Sequence, residues 1–188
     1  SHWRFDTEVA SLAPMLGGVL LLAMRDGLWR FDPASGERTR LAEPPYDPSN
    51  ERFNDGKCDP QGRFWVGTIY EPRDLPLAAI YRFSAGALTR MAGQLTVANG
   101  LAWSPDARTL YCSDTKAHAI YAHDFDAPSG SLGPRRVFAS FPAKQAQQDL
   151  STYGGRPDGA AVDSEGCYWV AMFEGQRLLR LSAQGDVL

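Results

Sequence analysis

The sequence predicts an all-β chain of the β-propeller type, and three observations lead there. A unit made of a polar entrance, a tight turn and a buried apolar strand recurs along the chain. Its period of about 40–50 residues is that of a propeller blade. No stretch carries helical apolar spacing for more than a turn or two. The clearest copy runs Arg52-Phe53-Asn54-Asp55-Gly56-Lys57, then Asp59-Pro60-Gln61-Gly62, then Phe64 to Ile69. Pro presets φ and Gly supplies a positive φ, so Asp-Pro-Gln-Gly is a turn between two strands. The apolar run after it is short, aromatic-rich and bounded by turn residues, which favours a strand buried on both faces. The unit returns as Asn99-Gly100-Leu101-Ala102-Trp103-Ser104 ahead of residues 109–113, and as Asp158-Gly159-Ala160-Ala161-Val162 ahead of residues 167–171. Aligning Gly56, Gly100 and Gly159 gives Asp55, Asn99 and Asp158 one repeat position.

Taken in order, residues 1–45 form the first unit, with strands expected at 9–13, 18–24, 27–32 and 38–41. Arg25-Asp26-Gly27 is a hairpin signal between two of them. Residues 43–49 hold three prolines, which remove backbone donors, so this stretch is a connector. The second unit covers 51–95 and the third 97–141. Residues 143–155 are polar and Gln-rich, a long loop that delivers the chain to Asp158. The fourth unit, 156–188, is shorter than the others. Each blade should have four strands, with Trp65, Tyr111 and Trp169 in second strands, buried between neighbouring blades. A propeller closes only when its last blade meets its first. About four units therefore imply a single propeller domain of which this chain holds part.

Composition narrows the partners. With 44% apolar and 22% charged residues, the 188-residue chain has the make-up of an ordinary globular protein. A net charge of -3 without Lys/Arg runs argues against nucleic acid or an anionic membrane surface as a partner. The most apolar stretch, residues 16–24, is too short to span a bilayer, and no basic n-region precedes it, so no signal peptide is expected. Cys58, Cys112 and Cys167 are odd in number, widely spaced and set in or beside apolar strands, so all three are expected to pack as small hydrophobes. A cytoplasmic setting follows as the default.

Strands that open each blade line the central channel, so Asp55, Asn99 and Asp158 should converge at one end. Carboxylate and amide oxygens, with no Cys or His nearby in sequence, suit a hard or borderline divalent cation such as Ca²⁺, Mg²⁺ or Mn²⁺. His118 and His123 fall near outer strands and His2 is terminal, so none is a candidate catalyst.

Arg52 to Lys57, Asn99 to Ser104 and Arg156-Pro157-Asp158-Gly159 together resemble, in order, three signature stretches of the SMP-30/gluconolactonase/regucalcin family. The resemblance implies a six-bladed β-propeller, about four blades of it in this chain, that hydrolyses a sugar lactone with one divalent metal ion (Ca, Zn, Mn or Mg). It implies Asn99 and Asp158 as metal ligands, and Arg52, Asn54 and Glu71 as substrate-binding residues. Asp158 is then the candidate to take a proton from the attacking water, and Asp55 a carboxylate behind the metal ligands. The family's further ligand, a Glu in an N-terminal Glu-Gly-Pro stretch, has no counterpart here, and Glu8 sits in a different context. Two other activities fit the same fold: hydrolysis of other esters or phosphotriesters, and non-catalytic binding of a protein through the loops.

Overall fold

The computed structural model describes residues 2–188, which form fifteen β-strands and no helix. They make four consecutive antiparallel meanders, each strand paired with the next in sequence. The first sheet is β1 (Val9–Pro14), β2 (Leu20–Met24), β3 (Gly27–Phe31) and β4 (Arg38–Ala42). The second is β5 (Glu51–Cys58), β6 (Phe64–Tyr70), β7 (Ala78–Ser84) and β8 (Ala87–Leu95). The third is β9 (Ala98–Trp103), β10 (Thr109–Asp114), β11 (Ala119–Asp126) and β12 (Ser131–Ser140). The fourth has three strands, β13 (Arg156–Val162), β14 (Tyr168–Phe173) and β15 (Arg177–Leu181), and one further bridge from Leu181 to Val187. Consecutive four-stranded sheets packed face to face are the architecture of a propeller. Their opening strands β1, β5, β9 and β13 pack against one another in turn.

Apolar side chains fill the space between sheets. Phe53, Phe64 and Val66 join Ala13, Leu21 and Leu28 between the first and second. Trp65, Trp103 and Phe125 form an edge-to-face triangle between the second and third, with centroids 5.8–6.0 Å apart. Tyr111, Ile120, Tyr168 and Val170 lie between the third and fourth. Strand β6 is accordingly buried on both faces, as its unbroken apolar run requires.

The hairpin turns carry a device that recurs. Asp59 Oδ1 accepts the backbone N–H groups of Gln61 and Arg63 at 2.9 and 3.0 Å, and its Oδ2 accepts the Trp65 indole N–H at 2.9 Å. Asp163 does the same, taking Glu165 and Cys167 N–H at 3.0 and 2.9 Å and the Trp169 indole at 2.8 Å. One aspartate thus closes the turn and fixes the tryptophan of the next strand.

Two expectations fail here. Trp65 and Tyr111 are buried, but Trp169 is 40% exposed. Side chains alternate along β14, with Tyr168, Val170 and Met172 facing the third sheet. Trp169 and Phe173 face the other way, and no further sheet covers that side among the described residues. Cys112 and Cys167 are buried, whereas Cys58, at the last position of β5, is exposed. Burial pushes the Cys112 thiol up to about 12, which keeps it protonated and inert.

Candidate functional site

The opening strands are bulged where they approach the end of the channel. Asn54 and Asp55 fall between the paired residues Phe53 and Gly56 of β5. Gly100 and Leu101 fall between Asn99 and Ala102 of β9, and Asp158 and Gly159 between Pro157 and Ala160 of β13. Pairing therefore makes Asn54 the counterpart of Asp158, and shifts the glycine-based alignment by one or two residues. Asp55, Asn99 and Asp158 do not share one position, because Gly56 follows its bulge, Gly100 opens its own and Gly159 ends its own. Each bulge bends its strand and re-aims a side chain. Gly100 is required twice over. Its φ is +60°, and a Cβ there would lie 2.6 Å from Ser113 Oγ and 2.8 Å from the Asp158 carbonyl oxygen.

The re-aimed side chains meet in a cavity of about 250 Å³ at the ends of the second, third and fourth sheets. Arg52, Asn54, Asn99 and Asp158 all line it. Asn54 Nδ2 donates to Asn99 Oδ1 at 2.6 Å and to the Ala98 carbonyl at 2.9 Å. Asn99 Nδ2 donates to Thr115 Oγ1 at 2.8 Å, and Thr115 donates to the Pro157 carbonyl at 2.7 Å. Since the single hydroxyl proton of Thr115 goes to Pro157, Thr115 must accept from Asn99. That fixes the Asn99 amide with its oxygen on the Asn54 side. Thr115 is absent from the sequence reading, and only its place two residues after Ser113 at the end of β10 could have flagged it.

Asp158 is half-buried, and among the described residues no cation lies within ion-pairing distance of it. Burial, followed by the nearby charge of Asp55, pushes its carboxyl above the usual range. Asp55 itself turns away from the cavity and accepts the Leu101 N–H at 3.1 Å. Glu71 is brought to Arg52, at 3.2 Å from its Nε, but it is held more firmly by Arg25, through two bonds of 2.9 and 3.0 Å. Arg25 keeps the Glu71 carboxyl below its ordinary value. Glu8 closes the same network on Arg25 at 2.6 Å.

For a divalent cation, the donor set in the cavity is one carboxylate and one amide oxygen, with a second carboxylate behind. Oxygen donors and a half-buried carboxylate that forms no ion pair among the described residues fit such an ion. Asp163, Glu165 and Cys167 also cluster within 4.8 Å. That group sits at the other end of β13, and Arg180 already pairs with both carboxylates. The three histidines stay out of the cavity lining: His118 lies by Tyr153, and His123 is buried in the third sheet.

A profile of the SMP-30/Gluconolactonase/LRE-like region matches residues 1–188. A 6-deoxy-6-sulfogluconolactonase of Pseudomonas putida is 44% identical over 172 residues, which cover 91% of this chain and 56% of that protein. A calcium-binding protein, regucalcin, of Agrobacterium tumefaciens superposes with a TM-score of 0.87 at 28% identity, over 99% of this chain and 60% of the other. A gluconolactonase of Xanthomonas campestris superposes with a TM-score of 0.71 at 28% identity, over 95% and 60%. The chain thus spans less than two thirds of the length of each of these proteins.

Proposed function

The chain belongs to the SMP-30/gluconolactonase/LRE-like family, and on that premise we propose that it carries the site of a sugar-lactone hydrolase that works with one divalent cation. One observation supports this above the rest. Arg52, Asn54, Asn99 and Asp158 come from three separate sheets and still line one cavity. The four units would be consecutive blades of a single propeller domain in the whole protein. Three free cysteines suit a reducing, cytoplasmic setting. Among the described residues no helix is long and apolar enough to cross a membrane.

Asn99 and Asp158 are the residues to hold the cation, with Asp55 adding charge behind them. When bound, the ion supplies Lewis-acid polarisation of a carbonyl. The chain's own groups do the rest. Arg52, braced by Glu71, can give parallel hydrogen bonds to substrate oxygens, and Asn54 can donate to or accept from a hydroxyl. Glu71 enters as the carboxylate beside Arg52. Asp158 is the group to accept a proton from the water that adds to the lactone.

Proton release from glucono-δ-lactone tests the reading in the protein at its full natural length. Chelator treatment should abolish turnover, and added Ca²⁺, Mn²⁺, Mg²⁺ or Zn²⁺ should restore it. At saturating cation, Asp158→Asn should lower kcat by about 10²–10⁴, while Asn54→Ala should mainly raise KM. Undiminished hydrolysis after chelation, or a normal kcat in Asp158→Asn, would remove these roles.

A further inference from the structure

We propose that the substrate of this cavity carries a three-oxygen anionic group besides its lactone ring, a sulfonate or phosphate, and that Arg73 and Lys116 receive it. The proposal rests on the sugar-lactone reading above and deepens it. Its basis is the charge balance of the cavity wall. Four cations line the cavity, Arg52, Arg73, Lys116 and Arg156, against the single carboxylate of Asp158. Two of the four are already matched. Arg52 lies 3.2 Å from Glu71, and Arg156 lies 3.0 Å from Glu174. Arg73 and Lys116 form no ion pair and no side-chain hydrogen bond among the described residues.

Both residues are held at the backbone while their heads stay free. Arg73 lies in the loop from β6 to β7, flanked by Pro72 and Pro76, and its N–H donates to the Tyr70 carbonyl at 3.1 Å. Its φ is 59°, a left-handed conformation that glycine or asparagine adopts more readily than arginine. A turn that could be made more easily by glycine carries a long cationic side chain instead. Lys116 lies between β10 and β11, where its N–H donates to Asp114 Oδ1 at 3.1 Å. Asp114 is spent on backbone groups, also taking the N–H of Thr96 and Val97 at 2.9 and 3.1 Å, so it does not neutralise the Lys116 ammonium.

A neutral sugar lactone would bring its ring oxygens to Arg52 and Asn54 and leave Arg73 and Lys116, both exposed in the cavity lining, without a counter-charge. A guanidinium and an ammonium lining one cavity match a three-oxygen anion, since Arg can bind it through two parallel N–H groups and Lys as a point charge. The two loops come from adjacent sheets, the second and the third.

The test compares kcat/KM for glucono-δ-lactone with that for its 6-sulfonate and 6-phosphate counterparts, in the full-length protein and in Arg73→Gln, Lys116→Gln and the double variant. The parent should prefer an anionic lactone, and the better of the two identifies the group. The anionic-to-neutral ratio should fall about ten- to hundredfold in the double variant, the scale of one or two charge-assisted hydrogen bonds. A parent without preference, or a ratio unmoved by the double variant, overturns the proposal while leaving the lactonase reading in place. Calorimetric titration with the open-chain aldonic acid and its 6-sulfonated form separates the other failure. If no lactone turns over but the sulfonated acid binds more tightly, and only when Arg73 and Lys116 are present, the anion site stands and the lactonase reading falls. Equal binding of the two acids counts against the anion site.

Discussion

His123 illustrates how a single buried group sets the response to acid. Its Nδ1 lies 3.0 Å from the Gly133 carbonyl, so that nitrogen carries the proton, and Nε2 is buried with no partner. Protonation would place an N–H where nothing accepts it. Burial therefore holds the imidazole below its ordinary value of 6.5, outweighing the Gly133 bond, and Arg135 and Arg136 add to the depression. Above that ordinary value the ring is neutral in both the folded and the unfolded chain, and it contributes no pH dependence. As the pH falls through 6.5, the unfolded chain takes up a proton that the folded chain refuses, so stability declines toward the folded-state value. The melting temperature should drop between pH 7 and 5.5, and His123→Phe should flatten that drop. An unchanged slope in the variant would exonerate His123. From sequence, this residue was legible only as an unlikely catalyst, since its environment depends on β12 crossing beside it.

Among the elements, the two aspartate-closed hairpins share a design but differ in surroundings. Asp59 is buried between sheets, and its partner Arg63 lies 2.6 Å away and is nearly buried too. Asp59→Ala would leave the Arg63 Nε–H, the Trp65 indole and two turn N–H groups without their acceptor. Breaking a buried pair in this way costs about 3–5 kcal/mol, a large part of a domain's usual margin. Asp59→Asn keeps one acceptor oxygen and should cost less. Asp163→Ala removes the same bonds from a turn whose tryptophan is already exposed, so its loss of stability should be the smallest of the three. Urea unfolding of the variants would rank them, and equal losses for Asp59→Ala and Asp163→Ala would refute the dependence on burial. The strands themselves were legible, because turn residues and apolar runs mark each hairpin locally. The exposure of Trp169 was not, because the same run is buried or bare according to whether another sheet lies against it. The bulges were also hidden. Glycine is a good local marker of irregular backbone, but it does not say which residue of a bulge it fills.

Across the whole molecule, the candidate site doubles as a fastening between sheets. Asn54 of the second sheet donates to Asn99 of the third, Asn99 to Thr115, and Thr115 to the Pro157 carbonyl of the fourth. The sequence made Asn54, Asn99 and Asp158 visible through their repeat-like motifs and family resemblance. Thr115 has no such motif, and its role exists only because a carbonyl 42 residues away comes within 2.7 Å. Thr115→Val keeps the side-chain shape and removes the hydroxyl. The Pro157 carbonyl and the Asn99 amide would then each lose a buried partner, a loss of about 1–3 kcal/mol. The amide would also lose the bond that fixes its oxygen in place, so the variant should gain less thermal stability from added Ca²⁺ or Mn²⁺ than the parent. Ligand-linked stabilisation amounts to about 2.7 kcal/mol at a hundredfold excess over Kd, large enough to read as a shift in melting temperature. His123→Phe, remote from the cavity, should keep the full cation-linked shift and so controls for general loosening. If Thr115→Val loses stability yet retains that shift in full, Thr115 fastens the sheets without orienting Asn99, and sheet packing and ion binding are not coupled through it.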